Sequence, residues 1–145
     1  MNNTIILFLL CVLMLPLPAT QSAVSPPTVV TAAQVNGTWN NKSGEFKIWA
    51  LGNQKLKVEF IGTYEYKTAA GLIANVAGGN GIAFIEGDTA VFKPDGTGDD
   101  CKITMKFTEG KLLVQQKGMC DFARHVTATG TYRKVSGRKP KFEKP

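Results

Sequence analysis

The stretch Cys101-Lys-Ile-Thr-Met-Lys-Phe107, Thr108-Glu-Gly-Lys111, Leu112-Leu-Val-Gln-Gln-Lys117, Gly118 and Cys120 decides how the chain is read. Two alternating runs flank a Glu109-Gly110 turn, the pattern of a β-hairpin. With those two residues as the loop, Thr108 faces Lys111. The pairs Phe107–Leu112, Met105–Val114 and Ile103–Gln116 then follow, all on one face. A slip of one residue would mix apolar and polar faces, so the register is specified. Regular pairing sets Cys101 opposite Gly118 and leaves Cys120 one diagonal away. That separation is too long for a disulfide, so a Cys101–Cys120 bond requires a bend or bulge at Gly118.

Outward from this block the same grammar recurs. Glu45–Leu51 places Phe46, Ile48 and Ala50 on one face, and Lys55–Ile61 places Leu56, Val58 and Phe60 inside with Lys55, Lys57 and Glu59 outside. Gly52-Asn53 is read as the turn between them. Thr63–Lys67, Leu72–Val76, Ile82–Glu86 and Thr89–Lys93 read as further short strands, with turns at Gly78–Gly81 and Gly87-Asp88. Val126–Tyr132 is read as the closing strand. No window carries sustained helical periodicity. The fold class is therefore all-β: a small antiparallel β-barrel of about seven to nine short strands with one disulfide, the alternative being a β-sandwich.

The ends differ from the middle. Ile5–Leu15 is an unbroken apolar run followed by Pro16, Pro18 and small residues. It is shorter than the ~20 residues that span a bilayer, so residues 1–23 are read as a cleaved secretory signal, with no transmembrane span after cleavage. Residues 24–35 are read as an extended leader, 36–134 as the barrel domain and 135–145 as a basic disordered tail. Loss of the signal removes Cys11 and leaves Cys101 and Cys120, which allow a single pairing in an oxidising compartment. The expected location is secreted or periplasmic.

The net charge is +6. Arg133 onward carries +5 of it, and Lys42–Tyr132 is nearly neutral at +1. The tail residues Arg138, Lys139, Lys141 and Lys144 are expected to make weak contact with anionic envelope polymers. Aromatic residues of the kind that stack bases are missing from the tail except Phe142, so no specific nucleic-acid partner is expected.

Two features resemble the calycin barrels, the group that includes lipocalins and avidins. One is Gly37-Thr38-Trp39 opening the first strand. The other is Arg133 at the end of the last strand, which the resemblance places over Trp39. The string Gly37-Thr-Trp-Asn-Asn41, Gly44 and Gly62-Thr-Tyr-Glu65 is similar to the first strands of avidin-like proteins. The chain departs from the biotin sites of that family, with no tryptophan after Trp49 and Glu45 where a small hydroxyl residue is used. The block Cys120–Arg133 also resembles the C-terminal end of uncharacterised bacterial secreted proteins.

No residue set names a reaction. Cys120 with His125 is the sole Cys/His pair, and Cys120 is claimed by Cys101. One histidine beside a bridged cysteine pair does not supply a zinc site. Asp95, Asp99 and Asp100 do not have EF-hand spacing. Gly78-Gly-Asn-Gly81 lacks the Lys-Ser/Thr of a phosphate loop. Neither a metal nor a cofactor is expected. The reading is a non-catalytic binding or interaction module, an unknown small ligand or protein being met by Trp39, Trp49, Tyr64 and Tyr66 at the barrel mouth or on a loop. The alternatives are an inhibitor of a secreted enzyme, such as a lysozyme-inhibitor-like barrel, and a carboxylate hydrolase using Glu59, Glu65 or Glu86.

Overall fold

The computed structural model describes residues 29–143. One short helix, α1 (Ala32–Val35), precedes eight strands: β1 (Gly37–Asn41), β2 (Gly44–Gly52), β3 (Lys55–Thr68), β4 (Gly71–Glu86), β5 (Thr89–Phe92), β6 (Lys102–Thr108), β7 (Lys111–Lys117) and β8 (Gly130–Ser136). Each strand pairs antiparallel with the next, and β8 pairs with β1, so the sheet is a closed barrel. The signal region 1–23, the leader as far as residue 28, and Lys144 lie outside the described residues. No helix among the described residues is long and apolar enough to cross a membrane.

The hairpin that decides the fold has the expected register, from Thr108↔Lys111 through Ile103↔Gln116. Cys101 and Cys120 are bonded, with Cα atoms 4.7 Å apart. The bend falls at Gly118, whose φ is +77°. A Cβ there would stand 1.9 Å from the Asp100 carbonyl oxygen, so only glycine fits.

Alternation fills the inside. Phe46, Ile48, Val58, Phe60, Phe92, Ile103, Met105, Leu112 and Tyr132 have no solvent-accessible surface, so no water-sized void touches them. Phe46 lies 4.7 Å from Phe60 and edge-on to Tyr132 at 4.9 Å. The Tyr132 hydroxyl donates to the Ala128 carbonyl at 2.8 Å. Burial pushes the Tyr132 pKa up to about 12, and a bond with Asn41 opposes the shift.

Several expected boundaries move. Thr63–Lys67 continues β3, and Leu72–Val76 joins Ile82–Glu86 in one 16-residue strand. Gly78–Gly81 is therefore not a turn. At these positions the glycines permit close approach: a Cβ on Gly78 would lie 2.2 Å from the Phe60 carbonyl oxygen, and one on Gly79 2.6 Å from Pro94. The turn after β2 is Asn53-Gln54, both at positive φ, and not Gly52-Asn53. The closing strand starts at Gly130 and runs on to Ser136. Before it, Gln116 takes the place of a backbone ladder. Its side chain accepts from Ala128 N at 2.9 Å, and its own N–H donates to Thr129 Oγ1 at 3.0 Å.

The leader does not stay extended to residue 35. Thr31 and Gln34 form a reciprocal capping box around α1, and Val35 enters the core. A four-residue helix is too short to leave a periodic signature. Trp39 Nε1 donates to the Val35 carbonyl at 3.0 Å. The cation over Trp39 is Lys134 and not Arg133: the register sets Trp39 against Lys134, whose Nζ lies 5.2 Å from the ring. The same ammonium donates to the Ala33 and Gln34 carbonyls at the end of α1. Its burial lowers the Lys134 pKa.

As far as residue 143, the basic tail is laid along the barrel wall. Lys139 Nζ sits 5.7 Å from the Trp49 ring, and Lys57 Nζ sits 4.7 Å from that of Phe142. Glu143 N donates to Glu59 Oε2 at 2.7 Å. Glu59 points outward as alternation requires, yet it is buried, because the tail covers it and Lys47 on β2 directly opposes it at 2.5 Å. A carboxylate on an outer face that is paired and accepts a backbone N–H gives the segment a fixed anchor.

Candidate functional site

β3 and β4 outrun the barrel. β2 pairs with β3 only as far as Gly62, and beyond it Thr63–Thr68 and Gly71–Val76 form a two-stranded arm closed by Ala69-Ala70. The β3–β4 register places Tyr64, Tyr66, Ile73 and Asn75 on the arm's inner face, continuous with the face that carries Phe60 inside the barrel. Tyr64 and Tyr66 stack with centroids 6.2 Å apart.

The loop between β7 and β8 closes the base of the arm. Asn75 Nδ2 donates to the Arg124 carbonyl at 2.7 Å, which brings the His125 ring to 4.8 Å from Tyr64. His125 and Asp121 both adopt positive φ, at 67° and 53°. These are residue types that tolerate the left-handed region better than most. Tyr64, Tyr66, Asn75, Arg124 and His125 together line a half-open cleft of ≈ 280 Å³. It presents two phenol rings, an imidazole, a guanidinium and an amide already engaged with backbone.

The four expected aromatic contacts fall in three places. Trp39 is 1% exposed and edge-on to Phe107, so it is a core residue and not a mouth contact. It opens the barrel wall with its side chain turned inward, where alternation and the Val35 bond hold it. Trp49 lies on the outer wall under Lys139. Only Tyr64 and Tyr66 come together. Asn75 and Arg124 escaped the sequence reading because their contact spans 49 residues and no local pattern joins them. His125 carried a signal as the sole histidine, although its ring partner is Tyr64.

Of the basic residues read as surface contacts, Arg138, Lys139 and Lys141 are exposed along the docked tail. Glu59, Glu65 and Glu86 are strung along the β3–β4 ribbon. Glu65 is six residues from Glu59 on β3. Glu86 is six beyond Asn80, the residue facing Glu59, in the other direction. Each step of six spans roughly 20 Å, against the ≤ ~10 Å of a hydrolytic carboxylate pair. Asp99 is held by Lys93 at 2.6 Å, which lowers its pKa, and Asp100 accepts from Met119 N. Among the described residues no three of His, Cys, Asp and Glu are grouped to hold a metal ion.

Compared with known protein families, curated proteins and solved structures, the chain matches none.

Proposed function

We propose that the chain is a secreted or periplasmic, non-catalytic binding module of calycin-like build that grips a protein partner with the inner face of its β3–β4 arm. One contrast carries the reading. The barrel interior is filled by its own side chains, while Tyr64 and Tyr66 stand 41% and 37% exposed at the arm's base. A filled barrel leaves a small apolar ligand no room inside, and a cleft of ≈ 280 Å³ is at the lower limit of small-molecule sites. Tyr and Arg beside one another form the composition that dominates protein-interface energetics, since they offer large contact area with few rotamers to freeze. The Cys101–Cys120 bond suits an oxidising compartment.

A second reading, inhibition of a secreted enzyme, draws on the arm's tip. Ala69-Ala70 is small, exposed and uncharged, with a shape suited to entering a cleft. The net charge of +6 makes a basic lysozyme a poor match for it.

The test is affinity capture from the extracytoplasmic fraction of the source cells with three baits: the wild type, a Tyr64→Ala/Tyr66→Ala variant and a Trp49→Ala variant. A partner held by the wild type and by Trp49→Ala, and weakened at least about tenfold by the double variant, is the expected result. Identical retention by all three baits, or thermal stabilisation of the wild type by small apolar molecules, rejects the reading.

A further inference from the structure

The arm has a second unused feature, its β4 edge. β5 pairs with β4 only from Ala83 to Glu86. One more backbone bond, from Asp95 N to the Asn80 carbonyl, lies beyond that ladder. Among the described residues, Gly71–Gly79 has no strand on that side. An open strand edge is usually guarded by lysine, proline or a bulge, because its free N–H and C=O groups template pairing with another chain. From Gly71 to Gly78 the edge carries none of these guards, and Pro94 stands against it only at Gly79, where the open stretch ends. From Thr68 to Ile85 the chain has no charged residue and no proline. The arm's other strand, β3, carries Glu65 and Lys67.

We propose that the β4 edges of two copies pair antiparallel about Asn75, joining the arms into a four-stranded sheet ordered β3-β4-β4-β3. Three observations favour a second copy as the occupant. First, pairing about Asn75 sets Leu72 opposite Gly78, Val76 opposite Ala74 and Ile73 opposite Ala77. Every large residue meets a small one, and the segment is complementary to itself. Second, a molecule of net charge +6 repels its own copy wherever charged surfaces meet, and this edge is free of charge. Third, Leu72, Ile73 and Val76 are 62%, 45% and 60% exposed, an apolar load that the pairing partly covers. The two-fold axis is perpendicular to the sheet, so Tyr64 and Tyr66 of both copies lie on one face. The interface is small, near the ~1,200 Å² lower end of stable assemblies, and the dimer is accordingly expected in the micromolar range.

Sedimentation velocity on the native, disulfide-bonded protein over a concentration series tests this. The wild type should show a concentration-dependent dimer. Val76→Lys places like charges next to the axis on the outer face, away from barrel and cleft, and should weaken dimerisation at least about tenfold. Leu113→Lys makes the same charge change at an exposed site on β7 and should leave dimerisation unchanged. Register is read by mixing Ala74→Cys and Val76→Cys proteins, which should cross-link to each other more readily than either does to itself. A wild type that stays monomeric at millimolar concentration overturns the proposal. So does a dimer that Val76→Lys leaves intact, or a monomer whose edge takes up an added extended peptide. The aromatic reading of the cleft stands or falls separately, since none of these substitutions touches Tyr64 or Tyr66.

Discussion

Phe60 and Tyr66 share one face of one strand, six residues apart, and their environments are opposite. Phe60 is fully buried between Phe46 and Phe122, whereas Tyr66 is a third exposed and has Tyr64 as its stacking neighbour. The strand is continuous and both residues are aromatic, so neither propensity nor alternation separates them. What differs is the wall opposite. β2 ends its pairing at Gly62, and past that point the sheet no longer curves round to meet itself. The barrel body is consequently where this row of aromatic residues is buried, and the arm is where it stays part-exposed.

The comparison is broken most severely by emptying the body. Trp39→Ala removes the largest buried side chain and the cap on the Val35 carbonyl. It is expected to cost about 3–5 kcal/mol in chemical denaturation. The paired change Cys101→Ser/Cys120→Ser opens a loop with a sequence separation of 19. The expected loss is about 3 kcal/mol, read as a lower urea midpoint that reduction of the wild type reproduces.

A smaller effect comes from titration. Tyr132 has its pKa raised to about 12 in the folded state, against about 10 unfolded. The native state therefore holds the proton longer. Its contribution is complete below about pH 10 and is lost as pH rises toward 12, by up to roughly 2 kcal/mol. Tyr132→Phe should flatten that limb of the stability curve while losing about 1 kcal/mol at neutral pH for the bond to Ala128. The smallest stability change belongs to the arm. Tyr64→Ala and Tyr66→Ala should each stay within about 1 kcal/mol of the wild type in thermal unfolding while partner binding weakens. A large destabilisation there would mean that the arm is structural.

Much of the body was legible because its signals are local. The Glu109-Gly110 hairpin, its register and the irregularity at Gly118 follow from alternation and two cysteines. The inward rows Phe46–Ile48 and Leu56–Val58–Phe60 follow from the period of two. The arm was less legible because Gly78–Gly81 has the composition of a turn. In the sheet those glycines serve close approach to Phe60 and Pro94, a contact that exists only after folding. The same limit explains the tail. Its charges suggested a solvated end, while the anchor, Glu59, is 84 residues away and reads in sequence as an ordinary outer-face acid.

By itself the sequence determined an all-β fold with one disulfide, a barrel or else a sandwich, since side-chain alternation and turn residues act between near neighbours. Tertiary structure alone decided that the interior is full, that Lys134 rather than Arg133 covers Trp39, and that Tyr64, stacked on Tyr66, meets His125 beyond the last β2–β3 pair. Each of these depends on where strands stop pairing and on contacts between residues far apart in the chain, which no local pattern encodes.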